Sequence, residues 1–137
     1  MSVTEEFSVA AIVYNEDEYL VLKYGLGHWE FVKGHKEENE TDKQTILREL
    51  EEETNITEAQ IIEGFIERYD YFFSFKGQNI HKFVNCYLIK SKNKEVKISY
   101  EHEDYVWLPL DKALKLVTYD NTRRLLRKAH EFRKGMV

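Results

Sequence analysis

The chain has 137 residues, of which 42% are hydrophobic and 33% charged, and its net charge is −5; this is the size of one domain, taken as residues 1–137. No run of roughly 18 apolar residues and no basic, apolar leader is present, so we expect no membrane segment and a cytoplasmic location. The single cysteine, Cys86, excludes an internal disulfide and a multi-cysteine zinc site, and is predicted to lie in the core.

Hydrophobic periodicity and turn residues divide the chain into strands and three helices. Strands are predicted where β-branched and aromatic residues concentrate between turns, and helices where the apolar spacing changes to three and four residues. Thr41 and Gln44 have the spacing of a capping box. This order of elements favours an α/β fold with a mixed sheet. The predicted elements are strands at 7–14 and 18–24, a loop with a short strand at 29–33, a helix between Thr41 and Asn55, strands at 61–75, 81–92 and 105–108, and helices at 111–117 and 121–133.

Three glutamates, Glu49, Glu52 and Glu53, share one edge of the first predicted helix. Like charges at this spacing cost about 0.2–0.5 kcal/mol per pair on an exposed helix. An ion pair between Arg48 and Glu52 would fit an ordinary solvated helix, but no lysine is interleaved on this stripe, so a divalent cation is the better compensation. Magnesium is the expected ion, because it prefers oxygen ligands and often binds one or two carboxylates together with substrate phosphates. The neighbouring stripe, expected to face the core, is Ile46, Leu47, Leu50 and Thr54.

A basic loop precedes this helix. Lys33, His35 and Lys36 surround Gly34, so cationic donors stand beside a residue that permits close backbone approach. Together with a metal site, this loop predicts a polyphosphate substrate. A carboxylate that is not a metal ligand could then take a proton from a metal-polarised water, which predicts hydrolysis at phosphate.

The loop and the glutamates of the first helix together resemble the Nudix box. This motif consists of Gly, five residues, Glu, seven residues, then Arg-Glu-apolar-x-Glu-Glu-x-Gly-apolar. The matching residues are Gly34, Glu40, Arg48, Glu49, Leu50, Glu52, Glu53 and Ile56. Segments 24–29, 33–35, 61–65, 101–102 and 105–108 resemble one branch of this family, the asymmetrical diadenosine tetraphosphate hydrolases. The resemblance implies a Nudix α/β/α sandwich and cleavage of a dinucleoside polyphosphate by water into ATP and AMP, with Mg²⁺ as cofactor and Mn²⁺ as its substitute.

The resemblance also implies residue roles. Glu49 and Glu53 would be metal ligands, and Glu52 a further ligand or the general base. Glu101 would be a ligand or base supplied by a loop, and Arg48 would orient a glutamate. The expected substrate-binding residues are Lys33, His28 and the loop residue His35 at the phosphates, and Tyr24 and Tyr119 near the nucleobase.

Four positions depart from the family pattern. Asn55 and Asn39 replace glycines, and asparagine tolerates positive φ better than other non-glycine residues, so both backbone turns can persist. Val32 replaces the proline before Lys33. Cys86 replaces a tyrosine of the second long strand, which weakens the expectation of adenine stacking.

Two alternatives stay open. Another Nudix specificity, such as nucleoside triphosphate hydrolysis or removal of pyrophosphate from RNA 5′ ends, would use the same metal site. A catalytically silent nucleotide-binding module would have no need to retain mutually repelling glutamates. Residues 112–134 are basic, but the acidity of the whole chain argues against a nucleic-acid partner. We expect a small nucleotide substrate, no membrane partner, and a monomer or homodimer.

Overall fold

The computed structural model describes residues 2–136, and within them seven strands form one mixed sheet that packs against three helices. The α/β class and the mixed sheet predicted from the sequence are confirmed. The strands are β1 (Thr4–Asn15), β2 (Glu18–Tyr24), β3 (Trp29–Glu30), β4 (Val32–His35), β5 (Ala59–Phe75), β6 (Gln78–Ser91) and β7 (His102–Pro109), and the helices are α1 (Asp42–Thr54), α2 (Leu110–Leu116) and α3 (Asp120–Lys134).

The sheet divides close to its first hairpin. β1 and β2 pair only beside their shared turn, with Tyr14 opposite Tyr19 and Asn15 opposite Glu18. Beyond it, β3 pairs with β2 and β4 pairs with β1, while β6 runs parallel to β1 on its other side. The single short strand predicted at residues 29–33 is therefore wrong: two strands separated by Phe31 attach to different halves of the sheet. The chain thus crosses from one half of the sheet to the other at Phe31, and β4 leads into the loop before α1.

Alternating side chains of β1 supply two cores, because successive residues of a strand point to opposite faces. Val9 packs with Ile46 and Leu50 of α1, and Ile12 packs on the opposite face with Leu125 of α3. The sheet is thus covered on both faces, as the Nudix sandwich requires. Buried Cys86 belongs to the α3 core, as predicted. Leu47 was expected to face a core but is 41% exposed, because the buried face of α1 is centred on Ile46 and Leu50 and extends toward Glu53, which leaves Leu47 at its edge.

Both ends of α1 follow the sequence prediction. The Thr41 side chain accepts a hydrogen bond from the Gln44 backbone, and the Gln44 side chain accepts one from the Thr41 backbone, at 3.2 and 2.9 Å. Asn55 ends the helix at φ 63°, and Asn39 in the preceding loop has φ 67°. The two asparagines thus adopt the left-handed conformation that the replaced glycines would supply.

The long β5–β6 hairpin differs from its prediction at both ends. Only Lys76 and Gly77 form its turn, with φ 50° and 75°, the pattern of a two-residue hairpin loop. The register shifts between Ile61 and Ile66. Helix α2 begins one residue before its predicted start, directly after Pro109, which has an extended backbone at the N-cap. No helix within residues 2–136 is long and apolar enough to cross a membrane.

Candidate active site

Two of the glutamates expected to bind metal, Glu49 and Glu53, meet on the inner edge of α1 and form the carboxylate pair. Residues four apart on a helix lie one above the other. The Glu53 side chain is 4% exposed and that of Glu49 15%. Burial raises the pKa of both carboxyls, the Glu53 charge adds to this for Glu49, and the Glu101 charge adds to it for Glu53. The structure therefore concentrates negative charge where solvent cannot compensate it.

The residues present fit a divalent cation. Glu53 Oε2 is buried and has no hydrogen-bond partner among the described residues, and an unpaired buried carboxylate oxygen is costly. Gly34 leaves room beside the pair, since a Cβ added there would overlap the Glu49 carboxyl group. Within residues 2–136, no three His, Cys, Asp or Glu side chains are already grouped as a metal site. The carboxylate pair is thus the nucleus of a site that needs further ligands from water, phosphate or a neighbouring acid.

Arg48 ties the loop before α1 to the helix. Its guanidinium donates to both carboxylate oxygens of Glu40, at 2.8 and 3.0 Å, and to the carbonyl of His35 at 3.1 Å. It also donates to Glu49 at 2.9 Å and to Glu52 at 3.2 Å. These bonds hold the Arg48 guanidinium between the loop and the Glu49 carboxylate. The Glu52 side chain is 58% exposed and pairs with Arg48, so it is not part of the buried pair.

Tyr24, expected near the nucleobase, contacts Glu53 with its hydroxyl and His28 with its ring. Its hydroxyl donates to the Phe31 carbonyl at 2.9 Å and to Glu53 Oε1 at 3.3 Å. Its ring stacks on His28, with centroids 4.8 Å apart and planes 6° apart, and meets His102 edge-on. Burial raises the pKa of Tyr24 far above its ordinary value, which keeps the hydroxyl a donor. Sequence reasoning missed His102, although it directly follows Glu101.

A pocket of about 430 Å³ opens on the α3 face of the sheet, and we call it the aromatic pocket. Three residues expected to bind substrate, His28, Lys33 and Tyr119, line it together. Tyr69 and Tyr71, which sequence reasoning missed, reach it from β5, where residues two apart share a face. The complete lining is His28, Glu30, Lys33, Tyr69, Tyr71, Tyr119, Asn121 and Thr122.

Two lysines stand beside the aromatic pocket. Lys33 Nζ lies 5.8 Å from the centre of the Tyr71 ring and 3.3 Å from Glu30 Oε2. Lys82 lies directly opposite Tyr71 across the β5–β6 pair, so their side chains share a face. Burial and the nearby Lys33 charge both lower the pKa of Lys82. The two lysine charges therefore repel each other, and a bound anionic group would offset this repulsion.

Two other expected residues lie apart from the aromatic pocket. His35 is exposed, and its Nδ1 lies 3.5 Å from Ser8 Oγ. It lines a separate groove of about 620 Å³, shared with Phe7 and Arg68 among others. The structure thus does not unite His35 with His28 and Lys33, because the β4–β1 pairing carries its ring toward Ser8. Glu101 is exposed in the loop before β7. Its negative charge contributes to the raised pKa of Glu53.

Known proteins resemble this chain over most of its length. Residues 5–129 match the family model described as the NUDIX domain. The chain is 37% identical over 119 residues to the asymmetrical bis(5′-nucleosyl)-tetraphosphatase of Sus scrofa, covering 84% of this chain and 80% of that one. It is 35% identical over 121 residues to the Caenorhabditis elegans protein of the same name, covering 86% of each.

A solved structure extends the match to three dimensions. The crystal structure of a C. elegans Ap4A hydrolase binary complex superimposes with a TM-score of 0.84 at 31% identity, over 96% of this chain and 99% of that one. A second crystal structure, of the C. elegans Ap4A hydrolase, superimposes with a TM-score of 0.74 over 96% of this chain. From the family match over residues 5–129 and from these relatives, the chain belongs to the Nudix family of hydrolases.

Proposed function

We propose that this protein hydrolyses dinucleoside tetraphosphates asymmetrically, cutting diadenosine tetraphosphate with water into ATP and AMP. The relatives named for this activity support the proposal over most of the chain. The observation that carries it is the place of Lys33, which belongs to both halves of the site. The adjacent Gly34 lies against the Glu49 carboxyl group, and the Lys33 side chain lines the aromatic pocket. A base in that pocket would therefore hold its phosphates beside the carboxylate pair.

Magnesium is the proposed cofactor, with manganese as its substitute. Glu49 and Glu53 would hold the ion, and Glu52 or Glu101 would add a carboxylate oxygen. When bound, such an ion neutralises phosphate charge and lowers the pKa of a bound water. The raised pKa values of the pair and the unpaired Glu53 Oε2 support this assignment, since a cation would stabilise the ionised form of both groups.

The chain's own side chains would orient the substrate. Tyr119 and Tyr71 offer rings for a nucleobase, while Lys33 and His28 offer donors for the phosphates. Glu101 or Glu52 would take the proton from the attacking water. Both are exposed, so either can pass the proton on to solvent. Arg48 contacts Glu49 and Glu40 instead of the pocket, and we assign it a positioning role.

The proposal is tested by chromatographic product analysis with magnesium. Diadenosine tetraphosphate would be compared with a dinucleoside triphosphate, dGTP, ADP-ribose and triphosphorylated RNA. We expect ATP and AMP, formed fastest from the tetraphosphate. Preference for dGTP or RNA would establish another Nudix specificity, and nucleotide binding without hydrolysis of any of them would establish a silent binding module.

The proposal extends to the remaining properties expected from the sequence. A small nucleotide is the proposed partner, with no membrane or nucleic-acid partner, in a monomer or homodimer located in the cytoplasm. Light scattering during gel filtration tests the oligomeric state. Fluorescent tagging with cell fractionation tests the location.

A further inference from the structure

Glu30, the second residue of β3, is a buried acid inside the aromatic pocket. Its relative exposure is 6%, comparable with 3% for Thr122 and 8% for Tyr69, whereas Tyr119 is 49% exposed. Glu30, Thr122 and Tyr69 therefore form the inner part of the pocket, and Tyr119 stands at its mouth. A planar base that enters between the tyrosines would turn one edge toward the Glu30 carboxylate.

The contacts that the protein makes to the Glu30 carboxylate leave part of its hydrogen-bonding capacity unsatisfied. Lys33 Nζ lies 3.3 Å from Oε2, Thr122 donates to Oε1 at 3.4 Å, and His28 Nε2 is 3.9 Å from Oε2. All three distances are long, since charge-assisted bonds of this type are usually about 2.7–2.9 Å. A carboxylate also has about four lone-pair positions and no donor. Glu30 can thus accept further hydrogen bonds, and a ligand group facing it must supply N–H or O–H donors.

The common bases differ at the edge that would face a carboxylate. Guanine carries two adjacent donors, the ring N1–H and the exocyclic amino group, which match the two oxygens of one carboxylate. Adenine presents its amino group beside the N1 acceptor, and cytosine its amino group beside the N3 acceptor. An acceptor facing the Glu30 carboxylate would be repelled and left without a partner, which is costly in a buried site.

We propose that Glu30 reads the base and makes the aromatic pocket select guanine over adenine, so that guanosine is the preferred nucleoside of the polyphosphate substrate. This inference rests on the proposed function and specifies its substrate. The pocket still accepts adenine through its tyrosines, and guanine gains two charge-assisted hydrogen bonds. Glu30 is accordingly a specificity-determining residue that contacts the base and not the reacting phosphate.

The wild-type protein provides the first test. The ratio kcat/KM is measured for diguanosine and diadenosine tetraphosphate with magnesium, and the affinities for GMP and AMP are measured by calorimetry without metal. A bidentate pair discriminates between bases by about one order of magnitude or more, so we expect at least about a tenfold preference for guanine in both measurements. Equal values for the two bases would overturn the role of Glu30. Hydrolysis of neither substrate, with GMP still bound more tightly than AMP, would refute the proposed function alone.

The variant Glu30→Gln tests the chemistry of the contact. An amide keeps the size of the side chain and presents one donor and one acceptor, which suits adenine. We expect the preference to reverse toward adenine in both kcat/KM and mononucleotide affinity. Glu63→Gln is the matched control, because Glu63 is exposed and pairs with Lys43 away from the pocket; it should keep the wild-type ratio.

A second role for Glu30 predicts a different outcome. If Glu30 only holds Lys33 in place, then Glu30→Gln changes the phosphate contact and alters both substrates by the same factor. An unchanged guanine-to-adenine ratio in the folded variant, with both rates shifted together, would therefore overturn the proposal. Circular dichroism and thermal unfolding establish that the variant is folded before the ratios are compared.

Discussion

His102 Nε2 lies 3.2 Å from Glu53 Oε1, and the two side chains are 0% and 4% exposed. On the other side of the ring, Nδ1 lies 3.0 Å from Ser99 Oγ. Burial lowers the pKa of His102, so the neutral ring can accept from Ser99 and direct its Nε2–H toward Glu53. Nε2 has no aligned hydrogen-bond partner within the described residues, and Glu53 Oε1 is the carboxylate oxygen that it approaches. His102 is therefore a positioning residue for the Glu53 carboxylate.

His102→Ala should weaken metal binding. Residues that orient a ligand typically change metal affinity by about 10–100-fold, so we expect the Kd for Mn²⁺, measured by electron paramagnetic resonance, to rise by at least about tenfold. His102→Gln, whose amide can still donate to Glu53, should recover part of the affinity. His81→Gln is the control on the far hairpin. An unchanged Mn²⁺ affinity in folded His102→Ala would refute the positioning role.

The close approach of Gly34 and Glu49 makes a second prediction. A methyl group at Gly34 would overlap the Glu49 carboxyl, and the side chain can yield only by leaving the carboxylate pair. Gly34→Ala should therefore lower kcat by at least about a hundredfold, since small displacements of catalytic groups have effects of this size. Gly25→Ala is the matched control, because the nearest atom to its added Cβ is a backbone oxygen at 3.9 Å. Similar rates in the two variants would show that Glu49 does not need its observed position.

Much of α1 could be predicted from the sequence because its signals are local. The Thr41 cap, the Asn55 terminus and the stripe of glutamates all depend on residues within a few helical turns. The burial of Cys86 follows from its residue type. The same reasoning failed at residues 29–33, where the short strand is split because each part pairs with a different distant strand.

The aromatic pocket could be predicted only in part, because strands distant in sequence build it. The β5–β6 register brings Tyr71 and Lys82 together. This register could not be extrapolated along the whole hairpin, because the pairing shifts between Ile61 and Ile66. Nothing in the local sequence distinguishes Glu30 from a surface acid, and only the fold shows that it is buried together with Thr122 of α3. His35 was grouped with Lys33 by their closeness in sequence, and the structure separates their side chains. Tertiary pairing, and not local pattern, decides these positions.

Glu53→Gln should remove most of the activity and leave the fold intact. The change deletes the charge that would hold the metal ion, and a charge of this kind contributes several kcal/mol in the transition state. We expect kcat to fall by at least about a hundredfold, measured by product chromatography at saturating magnesium. Glu51→Gln, an exposed position on the same helix, should retain the wild-type rate. Wild-type turnover in Glu53→Gln would remove Glu53 from the metal site.

The raised pKa of Glu53, about 7 against an ordinary value of 4.5, predicts a pH dependence of stability without metal. Between these values the folded state keeps a proton that the unfolded state releases, so the free energy of unfolding falls as pH rises from about 4.5 to about 7 and then levels off. Chemical unfolding in chelator at several pH values measures this slope. The pKa of Glu49 is raised to about 7 as well, so Glu53→Gln should reduce the slope without abolishing it, and magnesium should raise stability most above pH 7. A wild-type slope of opposite sign through this window would contradict the assignment.

Cys86 should act as a packing residue and not as a nucleophile. Its side chain is fully buried, and burial raises the pKa of its thiol to about 12, so almost no thiolate exists at neutral pH. Cys86→Ser places a hydroxyl in an apolar core and should lower the free energy of unfolding by about 1–3 kcal/mol, with kcat within about twofold of wild type. Urea unfolding and product chromatography measure the two effects. Alkylation of the native protein by iodoacetamide, with loss of activity before any unfolding, would show instead that the thiol is accessible and takes part in the site.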